Sequence, residues 1–399
     1  MSAAPSQLRQ LVAVRACSAV SYYAFTPFVP LWAERHLDLS AVAAGGALGL
    51  SLLATRAGGL LLPPVIDALG CTLSVRLSYC SIAVGYLVIA TQKSIGPVEL
   101  CVLFGLIGLL QSGSTVALKA SVASLAGEHG GVRGFAALSM AVNAGSAAGP
   151  VLGALLLGSR QFALPALAAA TVATAAVLPL PANAVRQRVE RSFRLAVPGR
   201  QLAGFLLVAS LTWAGYAAAL DAMPTAAGLL VDQRVVALAF GLNALVVVAG
   251  QPAVTGWLIR RGGPSGGRHP IRALALANLV AAGGLSVIAA LPWAGPAALL
   301  TGVLIFSASE LIWGPLYDSE TLARAGRLST AAAFGLAGCV FGVAESGAAW
   351  TAIAIVGNGG ASRVATVFGA AGIATVLAAV LLMALRSAVV ARPTSEVRR

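Results

Sequence analysis

Long apolar runs recur from one end of this chain to the other, broken only by short polar or basic stretches. About 20 consecutive apolar residues make one helix long enough to cross the hydrocarbon core of a bilayer. Inside that core an unpaired backbone amide or carbonyl is so costly that only helices and closed barrels can span it. The runs lack the alternation of polar and apolar residues that marks barrel strands, so the sequence specifies a polytopic helical membrane protein. Composition agrees: 58% of the 399 residues are hydrophobic and 10% are charged, against about 25% charged in an ordinary soluble domain.

A window of about 20 residues per span places helices near 10–36, 41–63, 74–91, 98–121, 134–158 and 162–182, then near 202–230, 235–259, 271–292, 296–317, 329–356 and 364–386. The net charge of +13 does not form a contiguous basic face, which argues against nucleic acid as a partner; the basic residues instead report orientation. Loops facing the cytoplasm carry the excess of Lys and Arg. With the N-terminus inside, only Arg35, Lys93, Arg160, Arg234 and Arg363 fall outside, while the rest of the 26 basic residues, Arg56 apart, fall on the N-terminal side. Both termini are therefore expected in the cytoplasm and the chain in a cell membrane, with a bacterial source expected. The stretch ANAVRQRVERSFRLAVPGR is the most basic part and divides the spans six and six. The expected organisation is an N-terminal half over 1–182, a basic cytoplasmic linker over 183–201 near anionic headgroups, and a C-terminal half with a short tail over 202–399. A weak internal repeat supports the division: Gly58–Gly70 against Gly250–Gly262, Pro30 against Pro224, and Gly145 and Gly149 against Gly338 and Gly342.

Residues 143–153 read NAGSAAGPVLG inside an apolar run. Glycine costs a helix interior roughly 1 kcal/mol and proline roughly 3, so Gly145, Gly149, Pro150 and Gly153 need a reason. Small residues let helix backbones approach closely in lipid, and a proline opens the hydrogen-bond ladder at the same place. Such a helix packs tightly and still bends; a plain small-residue packing face is the simpler alternative. The stretch resembles the fifth-helix motif of the twelve-helix drug:proton antiporters of the major facilitator superfamily, in which glycines precede a Gly-Pro pair and another glycine follows; Ala136 stands at the earliest glycine position.

That resemblance implies an all-α membrane protein with twelve transmembrane helices in two pseudo-symmetric six-helix halves, the major facilitator fold. It puts the fifth helix at the boundary between the halves, where its packing seals one side of a cavity. The turn after the second helix, PPVIDALGCT, keeps Asp67 and Gly70 of the family's loop pattern without its flanking arginines. Gly70 suits a tight turn, and Asp67 reads either as a gating partner for a helix N-terminus or as a plain loop aspartate. In the fourth helix GLLQSGSTVALK keeps Gln111, but Gly108 stands where the family often has an arginine.

A charge at the bilayer centre costs at least about 2.5 to 3.5 kcal/mol, which singles out Arg56, Asp221, Glu310 and Glu345 within the spans. Arg15, near the start of the first span, reads as an anchor that snorkels to the interface. The family plan lines the cavity with helices one, four, seven and ten. It thereby makes Asp221 and Glu310, with Glu345, the candidates for proton coupling, since a carboxyl moving between wet and drier surroundings changes its proton affinity through desolvation. The alternatives are a kink partner of Pro224 for Asp221 and a structural hydrogen bond for Glu310. The plan also sets helices two and eleven side by side, so Arg56 and Glu345 are an expected ion pair between the halves, with Glu310 a competing partner.

Aromatic and neutral polar residues on the lining helices are the candidate cargo contacts: Tyr22, Tyr23, Phe25, Gln111, Trp213, Tyr216 and Trp313. Pockets are mostly apolar with a few placed polar groups, and this set suits a mainly hydrophobic organic molecule. The five cysteines lack metal-site or disulfide-framework spacing, the histidines are scattered, and no phosphate loop is present, so no metal, cofactor or enzyme activity is expected. The reading is a monomeric secondary exporter of a small organic compound, a drug or a metabolite, driven by proton influx, with protons, cargo and membrane lipids as its partners. The alternatives are a facilitator or proton symporter for a sugar or organic acid, and a non-transporting receptor of the same fold.

Overall fold

Prolines set the breaks in the first and seventh spans. The computed structural model describes residues 4–92, 94–156, 159–179, 198–260, 270–326, 328 and 330–390. Helix α1 (Ala4–Phe25) stops where Pro27 and Pro30 withdraw amide donors; Thr26–Phe28 tightens into a 3-10 turn, and the span resumes as α2 (Val29–Leu37). Asp38, in the left-handed region at φ 53°, caps α2 by donating its amide to Ala33 O. The Ser40 hydroxyl accepts from the Ala43 amide at 3.3 Å to start α3 (Ala41–Leu61), a cap of a kind that contributes about 1 kcal/mol. A short α4 (Pro63–Leu69) ends at Gly70, whose φ of 82° only glycine adopts without strain, and α5 (Cys71–Thr91) follows at once.

Helix α6 (Pro97–Leu156) holds the fourth and fifth spans. Phe104 stacks on Phe25 while Gly153 abuts Ala24, and Gln111 bonds Ser18 while Gly145 abuts Ala19. Residues from both ends of the segment thus share one depth along α1, so the chain doubles back between residues 122 and 138. α7 (Leu164–Val177) completes the half.

The second half repeats the plan with α8 (Arg200–Ala217), α9 (Met223–Gly228), α10 (Gln233–Arg260), α11 (Pro270–Ala289), α12 (Leu291–Ala323), α13 (Thr330–Gly357) and α14 (Gly360–Val390). Its first span breaks as α1 and α2 do. Pro224 has no amide to give Leu220 O, and the turn Ala218–Ala222 between α8 and α9 widens to a π-helix.

The described residues of the twelve expected spans lie on helices and on the short turns that join or end them, and no strand occurs among the described residues. Among those residues, nine helical segments are long and apolar enough to cross a membrane, and Gln161–Val177 is a shorter apolar one. The basic linker lies outside the described residues up to 197, as does the basic turn over 261–269.

An aromatic cluster fills the core of the first half: Phe25 packs on Tyr86, Phe104 and Phe162 at ring separations of 5.3, 5.6 and 4.9 Å. The halves meet along α3 and α13, which run antiparallel from Ala41 beside Gly357 to Leu60 beside Gly335, with the Trp350 indole donating to Val42 O at 3.0 Å. They also meet at the end of the bundle that holds α2 and α9, where Leu31 packs on Gly228 and Arg35 Nη2 donates to Gly228 O at 3.2 Å.

Candidate functional site

Between the halves the structure gathers charge that a membrane interior ordinarily excludes. Arg56 on α3 clasps Glu345 on α13 through two parallel bonds, Nε to Oε2 at 3.0 Å and Nη2 to Oε1 at 3.1 Å. This bidentate geometry is the strongest form of a guanidinium–carboxylate contact. The Arg56 guanidinium also lies 3.9 Å from the centre of the Phe341 ring, within the range of a cation–π attraction. Asp221, in the π turn, lies within electrostatic reach of both Glu345 and Arg56. π-bulges are frequent at functional sites, and Asp221 lies within one, three residues before Pro224.

Tyr22 and Tyr23 of α1 face the same three charges. Nearer the opposite end of the bundle from Gly228, Lys119 of α6 lies within electrostatic reach of Arg15, Arg56 and, across the gap, Asp318 of α12. Arg56 keeps 40% of its side chain accessible, and Lys119 and Asp318 are exposed, yet all three are surrounded by protein on most sides. Accessible charges held between the two halves outline a cavity there. It is closed where Leu31, Arg35 and Gly228 meet and accessible where Lys119 and Asp318 face each other without pairing.

An aromatic wall backs the acidic side. Phe341 stacks on Trp213 at 3.8 Å, and Trp213 meets Tyr216, Trp313 and Tyr317 edge-on at 5.3, 6.0 and 5.2 Å. Trp213 is partly accessible, whereas Tyr216 and Trp313 are buried and form a second layer behind it.

Several expectations change. Phe25 is not a cavity residue: its ring is wholly buried in the aromatic core of the first half, because the face of α1 that carries it points at α5 and α7. Gln111 is buried and spends its amide on Ser18 at 2.8 Å, tying the fourth span to the first. Arg15 reaches across to the fourth span, where its Nη1 donates to Thr115 Oγ1 at 2.9 Å. Glu310 takes a hydrogen bond from Asn243 of α10, which also donates to Ser307 Oγ at 2.9 Å, and it does not compete for Arg56.

Gly145, Gly149 and Gly153 do not face the other half. They abut Ala19, Tyr23 and Ala24 of α1, while buried Pro150 lies within the same helix. Gly70 makes the turn described above, and the Asp67 side chain lies outside the described residues. A separate cleft of about 750 Å³ between α6 and α10, lined by Arg35, Val151, Leu155, Asp232, Arg234 and Leu238 among others, shares no residue with the charged cavity.

Residues overlooked in the sequence are Lys119, Asp318, Phe341 and Asn243. Lys119 carried a signal, since it follows Gln111 and Thr115 at intervals of four on one helix face.

Two helical halves with a charged cluster between them have the architecture of a membrane transporter rather than an enzyme. The family model described as Major Facilitator Superfamily matches residues 11–345, and the chain belongs to that superfamily. Among solved structures it is similar to a POT family transporter in complex with 5-aminolevulinic acid (TM-score 0.79, 12% identity, 96% of each chain covered). It is also similar to a peptide transporter, POT (TM-score 0.80, 14% identity, 96% of this chain and 95% of that one), and to the nucleoside transporter NupG (TM-score 0.75, 13% identity, 95% and 99%). At these identities the likeness is one of fold. No curated protein matches the chain in sequence.

Proposed function

We propose that this chain is a proton-coupled secondary transporter that exports a small, largely apolar organic compound by alternating access. The observation that carries the reading is the Arg56–Glu345 pair bridging the two halves with the Asp221 carboxyl beside it. When the halves rock, the surroundings of all three groups change together. A carboxyl whose hydration and charged neighbours differ between two access states differs in proton affinity between them, which is what coupling requires.

Asp221 is the principal proton carrier in this reading. It sits in a lining span, on a bulge, and has no carboxylate-neutralising hydrogen bond among the described contacts, whereas Glu345 is taken up by Arg56 and Glu310 by Asn243. The glycine-rich fifth span favours the antiport direction, and the aromatic wall of Trp213 and Phe341 suits an apolar cargo body. The excess of Lys and Arg in the loops and linker supports cytoplasmic termini, and with them an open end that faces inward.

Purified full-length protein in liposomes carrying an internal pH dye, challenged with a panel of small aromatic compounds, tests the reading. Cargo-dependent proton movement opposite to cargo is expected. Asp221→Asn, which imitates the protonated carboxyl, should keep downhill exchange and lose accumulation against a gradient, with Glu310→Gln less affected. Proton and cargo moving the same way would make the protein a symporter, and no cargo-dependent proton movement would overturn coupling. Retained uphill transport in Asp221→Asn with loss in Glu310→Gln would move the proton to Glu310.

A further inference from the structure

We infer that the cargo is dipolar: an anionic group docks on Arg15 and Lys119 of one half, a cationic group docks on Asp221 and Asp318 of the other, and an apolar body lies between. This deepens the reading of the cavity as a cargo site and rests on it.

The charges along the cavity are sorted by half. The cations, Arg15, Arg56 and Lys119, come from α1, α3 and α6. The acids facing them, Asp221, Asp318 and Glu345, come from the π turn, α12 and α13. Arg324 at the end of α12 is the basic residue of the second half nearest in sequence, and it is already held by Glu320 and by the Phe205 ring.

Arg56 and Glu345 satisfy each other. Four charges then remain. Arg15 gives one of its five donors to the neutral Thr115 hydroxyl and makes no ion pair among the described residues. Lys119 feels two other cations on its own wall and a carboxylate only across the gap. Asp221 feels Glu345 as a like charge, and Asp318 has Lys119 as its facing cation, out of ion-pair range.

Like charges crowded on one wall of a cavity with low-dielectric sides focus their field into it. That field points from the first half to the second. A neutral molecule leaves all four charges unmatched. A simple cation leaves the two free cations of one wall unmatched, and a simple anion leaves the two free acids of the other. Only a molecule carrying both signs satisfies both walls. Tyr22 and Tyr23 lie within electrostatic reach of charges of both signs, and Phe341 packs on Arg56 and stacks on Trp213, so these rings supply the surface for its body.

Three ligands with one aromatic body separate the possibilities: phenylalanine, phenylalaninamide, which keeps only the ammonium, and N-acetylphenylalanine, which keeps only the carboxylate. Binding to the full chain in lipid nanodiscs is read by tryptophan fluorescence. Phenylalanine should bind at least tenfold more tightly than either single-charge relative. Lys119→Gln should weaken phenylalanine at least fivefold without weakening the amide, and Asp318→Asn should weaken it similarly without weakening the N-acetyl compound. Both variants must elute and melt as the parent does; if either does not, Arg15→Gln or Asp318→Ser serves in its place for the same wall. Equal binding of the three ligands, no binding by any, or equal losses for all three in each variant overturns the inference. Binding in this pattern without proton movement in liposomes would sink the coupling and leave the cargo class standing, whereas proton movement driven equally by singly charged compounds would do the reverse.

Discussion

The fifth and eleventh spans occupy matching places in the two halves and carry matching glycines, Gly145 and Gly149 against Gly338 and Gly342, yet they use them differently. In the fifth span the glycines meet backbone. A Cβ built at Gly149 would stand 2.8 Å from the Ala24 amide nitrogen, and one at Gly153 would overlap the Ala24 carbonyl. In the eleventh only the side-chain contact is tight: a Cβ at Gly342 would stand 2.7 Å from Arg56 Cβ, whereas one at Gly338 would sit at ordinary contact, 3.4 Å, from the Arg56 carbonyl. The first set welds two helices of one half into a unit. The second makes room, across the boundary between the halves, for the stem of the arginine that reaches Glu345. One sequence pattern therefore serves rigidity in one half and a contact between halves in the other.

Bulk in the fifth span should break this comparison most severely. Added methylenes in a tight core cost about 1 to 3 kcal/mol when neighbours can shift, and backbone cannot shift as a side chain does. Gly149→Leu is expected to abolish recovery of monodisperse protein by fluorescence-detected gel filtration, and Gly149→Ala to lower the melting temperature measurably. A Gly149→Leu protein that folds and transports normally would show that α1 and the fifth span do not depend on this contact.

What was legible beforehand divides along similar lines. Spans were legible because hydropathy integrates over a whole helix, and Arg56, Asp221, Glu310 and Glu345 were legible because charge is scarce within the spans. Facing was not. Successive helix residues are rotated by about 100°, so Phe25 and Tyr22, both in the first span, go to the aromatic core and to the cavity with no local signal to tell them apart. Arg15 lies close enough to the start of its span that an interfacial anchor was the simpler reading, until Thr115 was found opposite it. The π turn was half legible: Pro224 announces a lost hydrogen bond, but whether the chain kinks, tightens or bulges depends on its neighbours.

The Arg56–Glu345 pair should show the next largest effect. Removing one partner of a fully buried pair costs about 3 to 5 kcal/mol. Arg56 is 40% accessible, so solvent screening reduces the expected loss to about 1 to 3 kcal/mol. Arg56→Ala and Glu345→Gln should each destabilise the protein and the double variant by less than their sum, read by thermal melting in detergent. Strict additivity would mean that the pair contributes no coupling and that the halves are held elsewhere.

The smallest expected effect sharpens the comparison. Gly342→Ala places one methyl 2.7 Å from Arg56 Cβ, the root of one side chain on the neighbouring helix, so the cost is expected at the low end of the about 1 to 3 kcal/mol of overpacking. What should change is the aim of the guanidinium. The variant is expected to melt within a few degrees of the parent yet show altered cargo-coupled proton movement, and that alteration should vanish when Arg56 is already glycine, because the Cβ that the methyl displaces is then absent. Non-additivity of this kind is expected only of residues in contact. Should Gly342→Ala impair transport equally with and without Arg56, the glycine acts on helix approach itself, as Gly149 does, and the two spans would be alike after all.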